Sequence, residues 1–271
     1  METKPEGMET AKQVGVLGYG SIGRVVANCL AAGGVPGATL SGVTVSDGRE
    51  LGQIPSLGLS ELAERSDLVV EAGGQSALRE HGAELLETGV DLLVVSMGAM
   101  TDDHVFDQLV EARPGRLYLC TGAIGGVDMV RAAAAMGRIE HANITTIKKP
   151  SGLVQPTMSD AEAEATRNLE EITTLFDGDI RELVQKFPAS TNVAAALALA
   201  VGSWDSVTGT VVADPATDVS THIIDIEAEA GTYRFENRHA PSADNPRSSA
   251  MVPWAVVRSL RDLCGTGWQF V

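Results

Sequence analysis

A chain of 271 residues with 44% hydrophobic and 21% charged side chains can bury one large core or two smaller ones, which excludes a disordered tail or a disulfide miniature. Twenty basic against 36 acidic side chains leave a net charge of −16, which argues against nucleic acid and anionic membranes as partners. No apolar run reaches the roughly 20 residues needed to span a bilayer, and the polar first dozen residues do not read as a secretory leader. A cytoplasmic location is therefore expected.

From residue 13 to residue 120, short apolar runs alternate with helix-like stretches. Residues 14–17, 40–45, 68–71, 92–95 and 117–120 read as buried strands. Residues 22–32, 60–65, 76–88 and 102–111 read as helices, the last three opening on Ser60, Ser76 and Asp102 at capping positions. Strands separated by such helices form parallel βαβ units covered on both faces, so this half is expected to be a doubly wound α/β domain. Next come a glycine-rich turn at 122–126, a helix at 127–138 and a strand at 143–148. The acidic stretch 161–168 reads as a surface loop or a short helix, and 191–201 as an Ala/Leu helix. Residues 207–213, 221–230 and 232–236 read as strands of a sheet with one solvated or ligand-facing side. A last helix is expected at 246–263, after Asn245, with Pro246 at its first position and Pro253 kinking or splitting it.

The motif GYGSIG at 18–23 lies between a predicted strand and a predicted helix. Gly18 permits the tight turn, Gly20 lets backbone approach a pyrophosphate, and Gly23 lets helix and strand pack closely; Ser21 and Ile22 open the helix whose N-terminus faces the anion. Asp47, 24 residues after Gly23, follows the second strand, where a carboxylate binds adenosine ribose hydroxyls or merely caps a turn. A carboxylate there favours NAD over NADP, and Arg49 softens that preference. The turn at 121–126 is either an interdomain joint or a surface against the nicotinamide.

Lys148 and Lys149 are two of only five lysines, against 15 arginines. They stand at a strand end, either as anchors for an anionic substrate or as solvated charges. The acidic, lysine-poor surface fits an ordinary acidic cytoplasmic protein or a salt-adapted one. Cys29, Cys120 and Cys264 are scattered and odd in number, so neither a disulfide framework nor a metal site is expected. Among the histidines, His81, His104, His141, His222 and His239, the first two read as surface residues. His222 enters a strand after a carboxylate-bearing turn and is either a proton-transfer group or a core residue.

Taken together, residues 18–23, 121–128 (TGAIGGVD), 147–150 (IKKP), 187–193 (FPASTNV), 213–222 (ADPATDVSTH) and 245–251 (NPRSSAM) resemble the L-aspartate dehydrogenase family. The resemblance implies oxidative deamination of L-aspartate with NAD or NADP. The product, iminoaspartate, hydrolyses to oxaloacetate and ammonia or enters NAD biosynthesis. It further implies a Rossmann domain at 1–121, a mixed-sheet catalytic and dimerisation domain at 122–245, a helix at 246–271 returning to the first domain, and a homodimer. By motif match His222 looks like the active-site residue, and Ala123 and Asn192 look like NAD contacts. Lys148, Lys149, Arg238 and Asn192 are of the types that anchor substrate carboxylates. The alternatives are a relative of homoserine dehydrogenase or dihydrodipicolinate reductase, or a non-catalytic dinucleotide sensor. The intact DPA…His segment and the lack of a basic DNA-binding module disfavour the sensor.

Overall fold

The computed structural model describes residues 11–188, 191–242 and 248–265. The chain divides into two compact units: Met1–Val94, Glu111–Cys120 and Val256–Val271 form the first, and Val95–Val110 with Thr121–Ala255 the second.

The first unit contains β1 (Lys12–Leu17), α1 (Ser21–Ala31), β2 (Ala38–Thr44), α2 (Leu59–Glu64), β3 (Leu68–Glu71), α3 (Gln75–Glu87), β4 (Asp91–Val94) and β5 (Leu117–Leu119). Its five strands are parallel in the order β2-β1-β3-β4-β5, a doubly wound sheet as expected. Val14, Val16, Val69, Val70, Leu92 and Leu93 are all buried, as strands covered on both faces require. One parallel bridge, Val43 to Ser56, extends the sheet beyond β2. It stands where the dinucleotide-binding order 3-2-1-4-5-6 places a third strand. Pro55 and the glycines at 48, 52 and 58 leave no apolar run there to build a full one.

Two capping expectations fail. The N-caps of α2 and α3 are Gly58 and Gly74, without side-chain hydrogen bonds, so Ser60 and Ser76 lie inside their helices. Asp102 does cap, its Oδ1 accepting from His104 N at 3.0 Å ahead of α4 (Asp103–Glu111).

The second unit adds α5 (Val127–Met136), β6 (Ile139–Lys148), α6 (Asp160–Arg167), β7 (Thr173–Asp179), α7 (Ile180–Lys186), α8 (Asn192–Val201), β8 (Val207–Ala213), β9 (Ser220–Ala228) and β10 (Gly231–His239). Its sheet runs β10-β9-β6-β8-β7, with β6 and β8 parallel and the other pairs antiparallel. This is the mixed sheet expected. The acidic stretch at 161–168 resolves as helix α6, fixed by a capping box in which Ser159 and Glu162 satisfy each other's backbone N–H groups. Helix α8 is buried through Val193, Ala194, Ala195, Ala196, Leu197 and Ala198 and packs on β6 and β8. The segment Val95–Val110 clusters with this unit rather than with the parallel sheet. Side chains hold it there: Asn192 Oδ1 accepts from Gly98 N at 3.0 Å, and Arg181 reaches Thr101 O and, at 2.7 Å, Asp103 Oδ1.

The last helix, α9, spans Val252–Cys264; Asn245 and Pro246, its expected start, lie outside the described residues. Pro253 is the second residue of α9, where its missing N–H breaks no intrahelical bond, so the expected kink has no cause. From Val256 onward the helix belongs to the first unit, burying Val256, Val257 and Leu260. Arg261 donates to Gly34 O at 2.8 and 3.2 Å. Among the described residues no helix is long and apolar enough to cross a membrane.

Candidate active site

In the first unit, the turn between β1 and α1 has the shape that a dinucleotide phosphate requires. Gly18 has φ +96°, and a Cβ built there would lie 2.5 Å from Gly73 Cα, so neither conformation nor space admits another residue. A Cβ at Gly23 would lie 2.0 Å from Gly18 O, which is the close helix–turn packing expected of the third glycine. Gly20 is the opposite case, with no atom within 4 Å of its Cβ position. The backbone is open there, as close approach of a pyrophosphate would require. Gly20 is also the N-cap of α1 and makes no side-chain bond, so the first-turn N–H groups around Ser21 and Ile22 are available to an anion. Glu71, buried at the end of β3, fixes the neighbouring loop by accepting from Gly73 N and Gly74 N at 3.0 and 2.9 Å.

Gly18 N donates to Thr44 O at 2.9 Å, tying the glycine turn to the end of β2, beyond which Asp47 stands. Asp47 is exposed and does two things. Its Oδ1 caps Arg49 N at 3.3 Å, and its Oδ2 pairs with the Arg49 guanidinium at 3.1 Å. Both sequence readings of Asp47 therefore remain, with a cation lying on the carboxylate.

In the second unit the chemistry gathers on one face of the mixed sheet. His222 on β9 is opposite Thr146 on β6 and Asn237 on β10. Because side chains alternate, Thr146 and Lys148 share a face, as do Asn237 and His239. His222 is 3% exposed and Lys148 5%. Thr146 Oγ1 lies 3.0 Å from His222 Nδ1, and the His222 and His239 rings are 6.4 Å apart. Burial pushes the His222 pKa down to about 3, with the charges of Lys148 and then His239 adding to the effect. Burial likewise lowers Lys148 to about 8. At neutral pH the imidazole is therefore neutral and the ammonium mostly charged.

The glycine-rich turn is held against the same face. His239 Nε2 donates to Ala123 O at 2.6 Å, Gly125 N donates to Asn237 Oδ1 at 3.0 Å, and a Cβ on Gly126 would strike the Phe235 ring at 2.6 Å. Three successive inward residues of β10 thus each meet a residue of the turn. Asn192, at the first turn of α8, is engaged through Oδ1 by Gly98.

The structure brings His222, Lys148 and Ala123 into one assembly and separates them from Lys149 and Arg238. Lys149 is exposed, 3.9 Å from Asp218. Arg238 is exposed on the opposite face of β10 from Asn237 and His239. His104 is exposed and His81 half-buried. Sequence reasoning missed Thr146, Asn237 and the role of His239. Among the described residues no group of three or more His, Cys, Asp or Glu side chains could hold a metal ion.

Comparison with known proteins agrees with both halves. Residues 18–115 match the homoserine dehydrogenase NAD-binding domain, and residues 128–263 match the C-terminal domain of aspartate dehydrogenase. The coenzyme of the first unit is accordingly a nicotinamide dinucleotide. The L-aspartate dehydrogenase of Ruegeria pomeroyi is 36% identical over 95% of this chain and 94% of its own. That of Methanopyrus kandleri is 36% identical over 72% of this chain and 71% of its own. The crystal structure of aspartate dehydrogenase from Thermotoga maritima shares the fold, with a TM-score of 0.76 at 24% identity over 96% of this chain and 99% of that one. The chain belongs to the L-aspartate dehydrogenase family.

Proposed function

We propose that the protein oxidises L-aspartate at its α-carbon, with NAD or NADP, to iminoaspartate, which hydrolyses to oxaloacetate and ammonia. The observation that carries this reading is the convergence of Lys148, His222 and His239 on one sheet face in a chain of net charge −16. The buried Lys148 ammonium on that face attracts a carboxylate of an anionic substrate. When bound, the nicotinamide accepts the hydride. The chain's own residues manage charge and protons. Lys148, mostly protonated at neutral pH, draws a substrate carboxylate. Neutral His222, with Nδ1–H donating to Thr146 Oγ1, keeps a lone pair on Nε2 for the proton released as the imine forms or for the water that attacks it.

Ala123, held through its carbonyl by His239, and Asn192, held by Gly98, are the coenzyme contacts of this unit; Gly18, Gly20, Ser21, Ile22 and Gly23 bind the phosphates. Asp47 binds the ribose and favours NAD, although its pairing with Arg49 reduces repulsion of a 2′-phosphate. The family resemblance also supports a cytoplasmic homodimer whose product feeds NAD biosynthesis; sedimentation at micromolar concentration tests the dimer.

The activity is tested by NAD(P)+ reduction with a panel of amino acids. L-Aspartate alone is expected to support turnover. Turnover with homoserine instead, or coenzyme binding without any turnover, contradicts the proposal.

A further inference from the structure

The side chain of Asn237 is fixed at one end and unsatisfied at the other. Gly125 N donates to its Oδ1 at 3.0 Å. This bond decides the amide orientation, since a flipped side chain would set Nδ2 against an N–H. The Nδ2 group is then buried with no hydrogen-bond partner among the described residues, the one such side-chain atom found among them. A buried donor left without an acceptor destabilises a protein, and folded chains keep few of them. Asn237 is directly opposite His222 in the β9–β10 register and so shares its face. Lys148, Thr146 and His239 share that face as well. The Lys148 ammonium gives this face positive charge, and besides burial the groups acting on the His222 ionisation are Lys148 and His239. Among the described residues no acceptor meets Asn237 Nδ2; a ligand oxygen would supply one.

We infer that Asn237 is a substrate-binding residue whose Nδ2 donates to a carboxylate of the four-carbon substrate while its Oδ1 holds the Gly122–Gly126 turn. The inference rests on the proposed activity for the identity of the substrate. One amide thereby links the position of the turn to the presence of a dicarboxylate.

The test uses L-malate, a four-carbon dicarboxylate without the reacting amine, titrated by calorimetry into the enzyme–NADH complex of the full chain. Asn237→Asp keeps an oxygen for Gly125 N–H and replaces the donor by a negative charge. It should raise the Kd for L-malate about 10–100-fold, the loss expected for a hydrogen bond to a charged group, with the Kd for NADH within threefold of wild type. Asn237→Ala should raise the L-malate Kd at least tenfold, and it decides alone if the aspartyl variant does not fold. An L-malate Kd within twofold of wild type in a folded variant overturns the inference. So does an Asn237→Asp protein that loses NADH as severely as L-malate, because the amide would then serve the coenzyme. A wild-type protein that binds L-malate through Asn237 but does not oxidise aspartate contradicts the proposed activity and leaves this assignment standing. Wild-type oxidation of aspartate combined with an unchanged KM in both variants does the reverse.

Discussion

The two units hold their ligand-facing groups in opposite ways. In the first, a single turn of six residues, 18–23, carries the phosphate-binding shape, and each glycine acts through its immediate surroundings. In the second, the groups come from residues 123 to 239 and meet only because β6, β9 and β10 pair in one register. A one-residue slip of β9 would send His222 to the other face. The phosphate-binding role proposed for the first unit thus rests on local backbone, whereas the cluster proposed to react rests on strand pairing.

The largest effect that separates the two is expected from His222→Ala. Removal of an acid–base group typically costs about 10²–10⁴-fold, so kcat per folded molecule should fall by that range while the Kd for NADH stays near wild type. A fall in melting temperature with unchanged turnover would instead make His222 a core residue. The complementary variant is Gly20→Ala. Its methyl group meets nothing in the protein, so stability should hold while NADH affinity falls roughly tenfold, because the methyl occupies the side on which phosphate approaches. Equal loss of stability and affinity would show that the open side has another purpose.

How much of this was legible in the sequence follows the same division. GYGSIG announces itself because its chemistry is contiguous, and the strand–helix context completes it. His222 was reachable through the segment 213–222. Asn237 and His239 were not, because inward polar residues break the apolar alternation by which strands are recognised, and β10 reads as ending at residue 236. In the structure it continues to His239. The lysine pair misled in the other direction. Adjacent residues at a strand end point to opposite sides, so only Lys148 joins the cluster. β7 is not legible in the sequence because it carries Gly178 and a broken alternation. Pro253 disrupts a helix that starts at residue 246, but not one that starts at Val252.

Smaller effects sharpen the contrast. Asp47→Ala should weaken NAD a few-fold and NADP less, since the Arg49 cation remains for a 2′-phosphate; equal changes in both Michaelis constants would remove Asp47 from the ribose site.

In the second unit, His222 has a pKa of about 3 when folded against 6.5 as its ordinary value. Between those values the unfolded chain binds more protons, so stability should decline as pH falls from about 6.5 towards 3. His222→Gln should flatten that slope, and an unchanged acid transition in urea melts would contradict the neutral, buried imidazole. For the whole surface, the charge of −16 predicts a melting temperature that rises with KCl, as screening beyond a Debye length of about 10 Å at 0.1 M reduces self-repulsion. Independence from salt would remove the salt-adapted reading.

The central claim is that the register-built cluster of the second unit oxidises aspartate at its α-carbon. L-Aspartate deuterated at that carbon, supplied with NAD+ to the full-length protein, tests it most directly through the mass of the reduced coenzyme. We predict one deuterium per coenzyme reduced, formed at least a hundredfold more slowly by His222→Ala at equal folded concentration. Reduced coenzyme without deuterium, or deuterium transfer at the wild-type rate in His222→Ala, would contradict it.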